Sequence, residues 1–455
     1  MQLKSNQLPG NLLQQMLHLK LGTRVILVRH GESTFNAQGR HQGSSDESVL
    51  TEIGRSAARQ TGTFLSGLSF DAVYTSSLKR TQQTTSEMLA MMQPAIELNK
   101  IYSTYTLREI DLPLWQGLLH REVQEKFAED YRCWRQRPHE FRMVAFDNAA
   151  SQNRPLATIT EAGKMPTPQN QTISCGIGDA GKMPTPQNQT ISCGIGVPPV
   201  LEHSESDFCN KSNLGASFFP VLDLYSRARQ FWQEILPHHP NQTLLIVSHS
   251  GTLRALIATA LGLTPERFHA LEQSNCGISI LNFPDGDQAP AQLEALNLTT
   301  HLGETLPQTN AGRQGLRLLL VPSGNEAQMR QVGQLLKKES IDFSISGTDD
   351  DAEAIATTIL PYHPTTVQLQ VTRDDFPQVW QQAITTRSYL SSNSSQLITG
   401  LLVGSNYIIQ RLIRQVLGMN FAEIGKLQLG QGAVSVIHYP LAERSPILQG
   451  MNIFR

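Results

Sequence analysis

Nowhere does the 455-residue sequence string together the roughly 18 apolar residues that a membrane-crossing helix needs. Its first residues interrupt Leu8, Leu12 and Leu13 with Pro9 and Gly10, so no continuous apolar core of a secretion signal is present. Residues 1–22 read instead as a short N-terminal extension, helical from Asn11 to His18. The five cysteines (133, 175, 193, 209 and 276) contain no CxxC pair, and a reduced, cytoplasmic setting is the simpler expectation. Charge of one sign is lacking too. With 37 basic and 39 acidic residues the formal net charge is −2, which gives neither a nucleic-acid footprint nor an acidic tail. No nucleic-acid or membrane partner is expected, and partners must be argued from sites. No cluster of Asp and Glu has metal-ligand spacing, so neither a metal nor another cofactor is expected.

What is present starts with Arg24 to Asn36, R-V-I-L-V-R-H-G-E-S-T-F-N. The β-branched and aliphatic run Val25–Val28 reads as a buried strand. It breaks at once into Arg29 and His30, then Gly31 and the hydroxyl and amide side chains of Ser33, Thr34 and Asn36, which is a strand ending in an anion site. Thr51 caps a helix expected to run to about Leu65. Phe70 to Tyr74 is a second buried strand, delivering Thr75-Ser76-Ser77-Leu78-Lys79-Arg80, and a helix follows over Thr81–Met92. A loop carrying Leu107-Arg108-Glu109-Ile110-Asp111 and Pro113 precedes a helix from about His120 to Trp134. Thr243–Val247 is a third strand, ending in Ser248-His249-Ser250-Gly251 and passing into an apolar helix, Leu253–Leu261.

Strand, polar turn and helix in alternation imply an α/β fold with a largely parallel sheet, whose ligands sit outside the carboxyl ends of the strands. Arg29, His30, Arg80 and His249 then share one edge. Between about 147 and 213 the pattern is lost. Residues 161–178 and 179–196 are an 18-residue unit in tandem, identical except for Glu161 against Asp179. Two Pro- and Gly-rich copies are too few to stack, so the segment reads as a disordered insertion. Its Gly-Ile-Gly triplets follow no apolar strand and carry no phosphate-loop reading.

Two guanidiniums and two imidazoles on one edge make an electropositive pocket whose planar donors suit a tetrahedral phosphoryl group. An imidazole there can also attack phosphorus through its free ring nitrogen, while the cations stabilise the equatorial oxygens. Taken singly, each of these residues is equally well explained as polarity at a strand end; their co-occurrence points to chemistry.

The spaced set Arg29-His30-Gly31-Glu32-Ser33-Thr34-Phe35-Asn36, Gln42-Gly43, Leu50-Thr51-Glu52-Ile53-Gly54, Thr75 to Thr81 and Val247-Ser248-His249-Ser250-Gly251 resembles the histidine phosphatase superfamily, in its phosphoglycerate mutase-like branch. The resemblance is closest to the cyanobacterial and plastid-type members described as 2-carboxy-D-arabinitol-1-phosphatase-like, which also carry an extra C-terminal half. It implies a three-layer α/β/α sandwich over residues 23–285. It also implies a nucleophilic His30 that becomes phosphohistidine, with Arg29, Arg80 and His249 gripping the phosphoryl group. Glu109 matches the carboxylate that protonates the leaving oxygen and later activates water, with Asp111 as a nearby rival. Asn36 and Gln42 match pocket positions, and Gly43 and Gly251 are carried with them as phosphate-binding. Phosphoglycerate mutases of the family follow the Glu with Arg-His-Tyr-Gly, whereas Glu109 is followed by Ile110-Asp111-Leu112-Pro113. That departure favours a phosphomonoesterase acting on a small phosphorylated metabolite, such as the sugar acid phosphate 2-carboxyarabinitol 1-phosphate. A phosphoglycerate mutase and a non-catalytic phosphate-binding scaffold are the alternatives. The turn that many members carry as Pro-x-Gly-Glu-Ser is here Phe219-Pro220-Val221-Leu222-Asp223.

Residues 286–313, with Pro290, Pro307 and Gly312, read as an interdomain linker with room for one strand. Beyond it a second α/β series, 314–455, reads as a degenerate copy. Leu318–Asn325 runs parallel to Val25–Glu32, but Pro322 and Ser323 stand where Arg29 and His30 stood. Ile341–Ser346 mimics Phe70–Thr75 with Asp351 at the Arg80 equivalent, and Leu401–Asn406 echoes the third strand without its His. No catalysis is expected there. Packing against the first domain, a homodimer contact or a regulator site are the roles open to it.

Overall fold

The computed structural model describes residues 22–146, 214–286, 290–308, 312, 314–370, 382, 397–420, 425–440 and 445–454. The N-terminal extension and the tandem repeat lie outside the described residues.

The first series opens with β1 (Thr23–Arg29), whose apolar run is buried on both faces, as expected of a strand inside a parallel sheet. A single helical turn, Thr34–Ala37, follows, and then α1 (Glu52–Leu65), where Thr51 Oγ1 accepts the Gly54 N–H as the expected cap. β2 (Ala72–Ser76), α2 (Lys79–Leu89) and β3 (Ile101–Thr104) come next. The helix expected over His120–Trp134 is two helices, α3 (His120–Lys126) and α4 (Ala128–Gln136). They break at Phe127, whose φ of −127° and ψ of 43° lie outside the helical region.

The short β4 (Met143–Phe146) pairs antiparallel with β5 (Leu214–Phe218), so the chain leaves for the insertion and returns from it side by side. α5 (Pro220–Ile235) starts on Pro220 itself, where a missing N–H is harmless. β6 (Thr243–Ser248), α6 (Ser250–Leu261), β7 (Ile278–Phe283) and β8 (Gln292–Leu298) complete the series. The second series is β9 (Gly315–Pro322), α7 (Glu326–Leu336), β10 (Phe343–Ser346), α8 (Asp349–Thr358), β11 (Val367–Gln370), β12 (Leu397–Gly404), α9 (Asn406–Leu417), β13 (Val434–Tyr439) and β14 (Ile447–Ile453).

All but β4 and β5 join one 12-stranded sheet in the order β11-β10-β12-β9-β13-β14-β8-β7-β1-β6-β2-β3. Read outward from its middle, each half gives the same sequence of equivalent strands. In each, two antiparallel pairings are followed by three parallel ones. The fold is therefore a tandem, and the halves meet where β14 runs antiparallel to β8, with Met451 opposite Leu296.

Residues 286–313 are thus more than a linker, because β8 lies within them and is buried at the middle of the sheet. Alternate strand residues face opposite cores. Val25 and Leu27 belong to the core that includes residues of α5, α6 and α9, while Ile26 and Val28 belong to the core that includes residues of α1, α2, α7 and α8. Two helix layers enclose the sheet, a three-layer α/β/α sandwich. Among the described residues no helix is long and apolar enough to cross a membrane.

Candidate active site

At the carboxyl ends of β1, β6 and β2 lies a cavity of about 790 Å³, lined by Arg29, His30, Arg80, Glu109, Asn36 and Gln42 among others. The parallel register brings them there. Arg29 sits opposite Ser248 in the β1–β6 pairing, so His30 and His249 follow from neighbouring strand ends. Their rings lie edge to face with centroids 5.2 Å apart.

His30 is buried, and its Nδ1 lies 2.7 Å from the Gly31 carbonyl oxygen. A carbonyl can only accept, so Nδ1 carries the proton and Nε2 keeps its lone pair. Burial first, then the Arg80 and Arg29 guanidiniums, holds the His30 pKa well below the usual imidazole value; the Gly31 carbonyl opposes this. At neutral pH the ring is a neutral imidazole with an available nitrogen nucleophile.

Arg80 donates from Nε to His249 Nδ1 (3.2 Å), from Nη1 to the Ser45 carbonyl (2.7 Å) and from Nη2 to the Gly43 carbonyl (2.9 Å). Three of its five N–H groups are used, which leaves two for a ligand. Burial, outweighing the attraction of Glu109 and Asp46, lowers its pKa to about 10, so the charge survives at neutral pH. His249 accepts at Nδ1, and its Nε2–H therefore faces Ser76 Oγ at 2.8 Å. Burial and then Arg80 keep its pKa well below the usual value. Arg29 donates from Nη1 to the Gln273 carbonyl (2.7 Å), while its buried Nε has no hydrogen-bond partner.

Glu109 sits at the N-terminus of α6. Its Oε2 accepts the Gly251 N–H (3.1 Å), and its Oε1 accepts those of Thr252 (3.2 Å) and Ile110 (2.9 Å). The rival Asp111 is exposed, bound through Oδ1 to Ser44 Oγ and Gln116 Nε2. Asn36 accepts at Oδ1 from Asn275 Nδ2 (3.2 Å), and Gln42 accepts at Oε1 from Ser33 Oγ (2.9 Å). Both amide NH₂ groups remain to donate at the cavity wall.

The two glycines expected at the phosphate have other tasks. Gly43, at a φ of 51°, offers its carbonyl to Arg80. The Gly251 N–H is spent on Glu109, and a Cβ at Gly251 would fall 2.5 Å from Glu109 Oε1. Sequence reasoning missed Asn275, which ties Asn36 to the His30 carbonyl, and Arg227, which donates to the Glu109 carbonyl at 3.3 Å. It also missed the outer wall, to which Arg135, His120 and Tyr131 contribute, and Ile447, which the second half lends to the same cavity.

A neutral imidazole flanked by two guanidiniums, with a carboxylate across the cavity, is an arrangement chemically suited to phosphoryl transfer, and it sits on a tandem α/β sandwich. Residues 25–162 and 208–297 match the histidine phosphatase superfamily (branch 1), and the chain belongs to that superfamily. It is an enzyme of the histidine-phosphatase type, a phosphatase.

The probable 2-carboxy-D-arabinitol-1-phosphatase of Arabidopsis thaliana is 26% identical over 94% of this chain and 86% of its own length. The 2-carboxy-D-arabinitol-1-phosphatase of Triticum aestivum is 30% identical over 69% of this chain, which spans about half of that protein, 48%. Phosphoserine phosphatase 1 of Hydrogenobacter thermophilus is 27% identical over 62% of this chain and 95% of its length. Among solved structures, the alpha-ribazole phosphatase of Shigella flexneri aligns at 21% identity with a TM-score of 0.38, covering 60% of this chain and 96% of its own.

Proposed function

We propose that the chain is a metal-independent phosphomonoesterase that acts through phosphohistidine on a small sugar acid phosphate of the 2-carboxyarabinitol 1-phosphate type. The observation that carries this reading is the His30 Nδ1 contact with the Gly31 carbonyl, which leaves Nε2 with its lone pair between Arg29 and Arg80. His30 Nε2 attacks phosphorus, the ester P–O bond breaks, and Glu109 gives its proton to the departing oxygen. Water then attacks phosphorus and yields a proton to Glu109. The P–N bond breaks and its electron pair returns to His30. Arg29, Arg80, Asn36 and Gln42 hold the phosphoryl oxygens throughout, while His249, with both ring nitrogens engaged by Arg80 and Ser76, positions Arg80. The substrate class is supported by the names of the Arabidopsis and wheat relatives and by the outer wall, where Arg135 and Arg40 suit a second anionic group on a hydroxylated molecule.

The test is phosphate release in EDTA from a panel of phosphosugars, sugar acid phosphates, phosphoserine and phosphoglycerates, by wild type and His30→Ala. Wild type should release phosphate fastest from a sugar acid phosphate, and His30→Ala should lose that activity. Full activity in the variant would overturn the mechanism. A phosphoglycerate mutase is the second reading, favoured by the 37% identity over 115 residues with the enzyme of that name from Elusimicrobium minutum. Formation of 2-phosphoglycerate without free phosphate would establish it.

A further inference from the structure

The second half has a cavity of its own, about 570 Å³, at the carboxyl ends of β9, β10 and β12. The strand registers place it where the catalytic cavity lies in the first half. Pro322 opposes Gly404 as Arg29 opposes Ser248, so Ser323 and Ser405 replace His30 and His249. Ser346 opposes Val403 as Thr75 opposes Val247, and five residues further along each chain stand Asp351 and Arg80. Every cation and imidazole of the phosphoryl site has been replaced, yet the cavity has not filled in.

Asp351 lines this cavity at only 7% exposure, and among the described residues no hydrogen bond or ion pair reaches its carboxylate. An acid in the first turn of a helix is ordinary, and the exposed Asp350 beside it needs no other account. A carboxylate on a side chain this little exposed, lining a cavity and without a protein partner, is different, because a cation entering the cavity would complete it. The rest of the lining is hydroxyl and amide, from Ser323, Thr348, Ser405 and Gln431, with Met329 and Ile408 as apolar wall. It contains no Lys, Arg or His, and among the described residues no group of three or more His, Cys, Asp or Glu that could hold a metal ion is present.

We propose that this cavity binds a hydroxylated primary amine of amino-sugar size, with the ammonium on Asp351 and the hydroxyls on the serine, threonine and amide groups. The site has inverted its charge preference relative to its catalytic twin: it rejects phosphate esters and accepts a cation.

The test is calorimetric titration of the full chain with glucosamine, with glucose as the uncharged counterpart and inorganic phosphate as a reporter of the catalytic cavity. Glucosamine should bind in the millimolar range or tighter, and glucose at least about tenfold more weakly, the loss of one charge-assisted contact. Asp351→Asn should lose glucosamine binding while keeping phosphate binding and phosphatase rate. Ser323→Leu, which puts a bulky group at the Ser323 wall, should do the same and decides the matter if Asp351→Asn fails to fold. No glucosamine binding, equal binding of glucose, or glucosamine binding unchanged in a folded variant would overturn the proposal.

Discussion

Asn297 and Asn452 hold the two halves together by an exchange of equivalent bonds: Asn297 Nδ2 donates to the Gln449 carbonyl at 2.8 Å, and Asn452 Nδ2 donates to the Glu294 carbonyl at 2.6 Å. Both residues adopt the left-handed backbone, with φ of 53° and 58°. Their remaining bonds match as well. Asn297 Oδ1 accepts the Ser274 N–H and Asn452 Oδ1 that of Gly430, while their own N–H groups go to Ser279 Oγ and Ser435 Oγ. Left-handed geometry disfavours an ordinary side chain by about 1–2 kcal/mol, and a buried carbonyl left without its donor adds about 1–3 kcal/mol. Asn297→Ala should therefore destabilise the fold by about 3 kcal/mol. Asn297→Gly, which keeps the backbone geometry, should lose less. Denaturant midpoints of the three proteins, followed by tryptophan fluorescence, check the order.

His30, His249 and His269 are buried imidazoles whose pKa values are pushed well below the usual 6.5, in each case by burial first and neighbouring arginines second. Below that value the unfolded chain takes up protons at these positions and the folded chain does not. Stability accordingly falls as pH drops through 6.5 and is unaffected by these groups above it. Each imidazole that stays neutral contributes a loss of about 1.4 kcal/mol per pH unit in that window. Urea unfolding at pH 7.5, 6.5 and 5.5 should show little change over the first interval and a marked drop over the second. For the same reason the acid limb of kcat/KM should lie below pH 6.5, since the His30 nucleophile remains unprotonated there.

The close fit of Gly251 to Glu109 gives a variant that moves the acid without touching the nucleophile. A methyl group 2.5 Å from Oε1 cannot be accommodated unless the carboxylate shifts. Displacing a catalytic group by about 1 Å can slow chemistry by about 100-fold. Gly251→Ala should lower kcat by that order and leave KM for a phosphate ester within a factor of a few, because Arg29 and Arg80 are not disturbed. Steady-state kinetics check this, and rapid-quench labelling should still detect phosphohistidine.

The parts of this arrangement written locally were legible in the sequence. Val25–Val28 followed by Arg29-His30, and Thr75 to Arg80, each join an apolar run to a polar turn within a few residues, and strand-end chemistry follows from that adjacency. Asn275, the Gln273 carbonyl under Arg29 and Ile447 were not legible, because each meets the site only through pairings that span hundreds of residues. The linker reading of 286–313 left room for a strand but not for its place at the middle of the sheet, because the burial of β8 is created by β14, whose sequence carries no sign of that partner. The break at Phe127 escaped because the apolar spacing continues across it while the backbone does not.

Insertion and catalysis should prove separable. β4 and β5 pair antiparallel, with Met143 opposite Phe218 and Phe146 opposite Leu214, so the chain departs and returns at neighbouring points. The match to the superfamily likewise stops at residue 162 and resumes at 208. A connection whose ends are already held side by side adds closure entropy only slowly with length, about 0.6 kcal/mol per doubling. Deleting residues 161–196, the two 18-residue units, should therefore leave kcat/KM for a phosphate ester within about twofold of wild type and keep or slightly raise the melting temperature. A loss of activity in a folded deletion variant would instead assign the repeat a part in substrate access. Parallel assays of the full chain and the deletion variant on one substrate, with melting curves for both, distinguish the two outcomes.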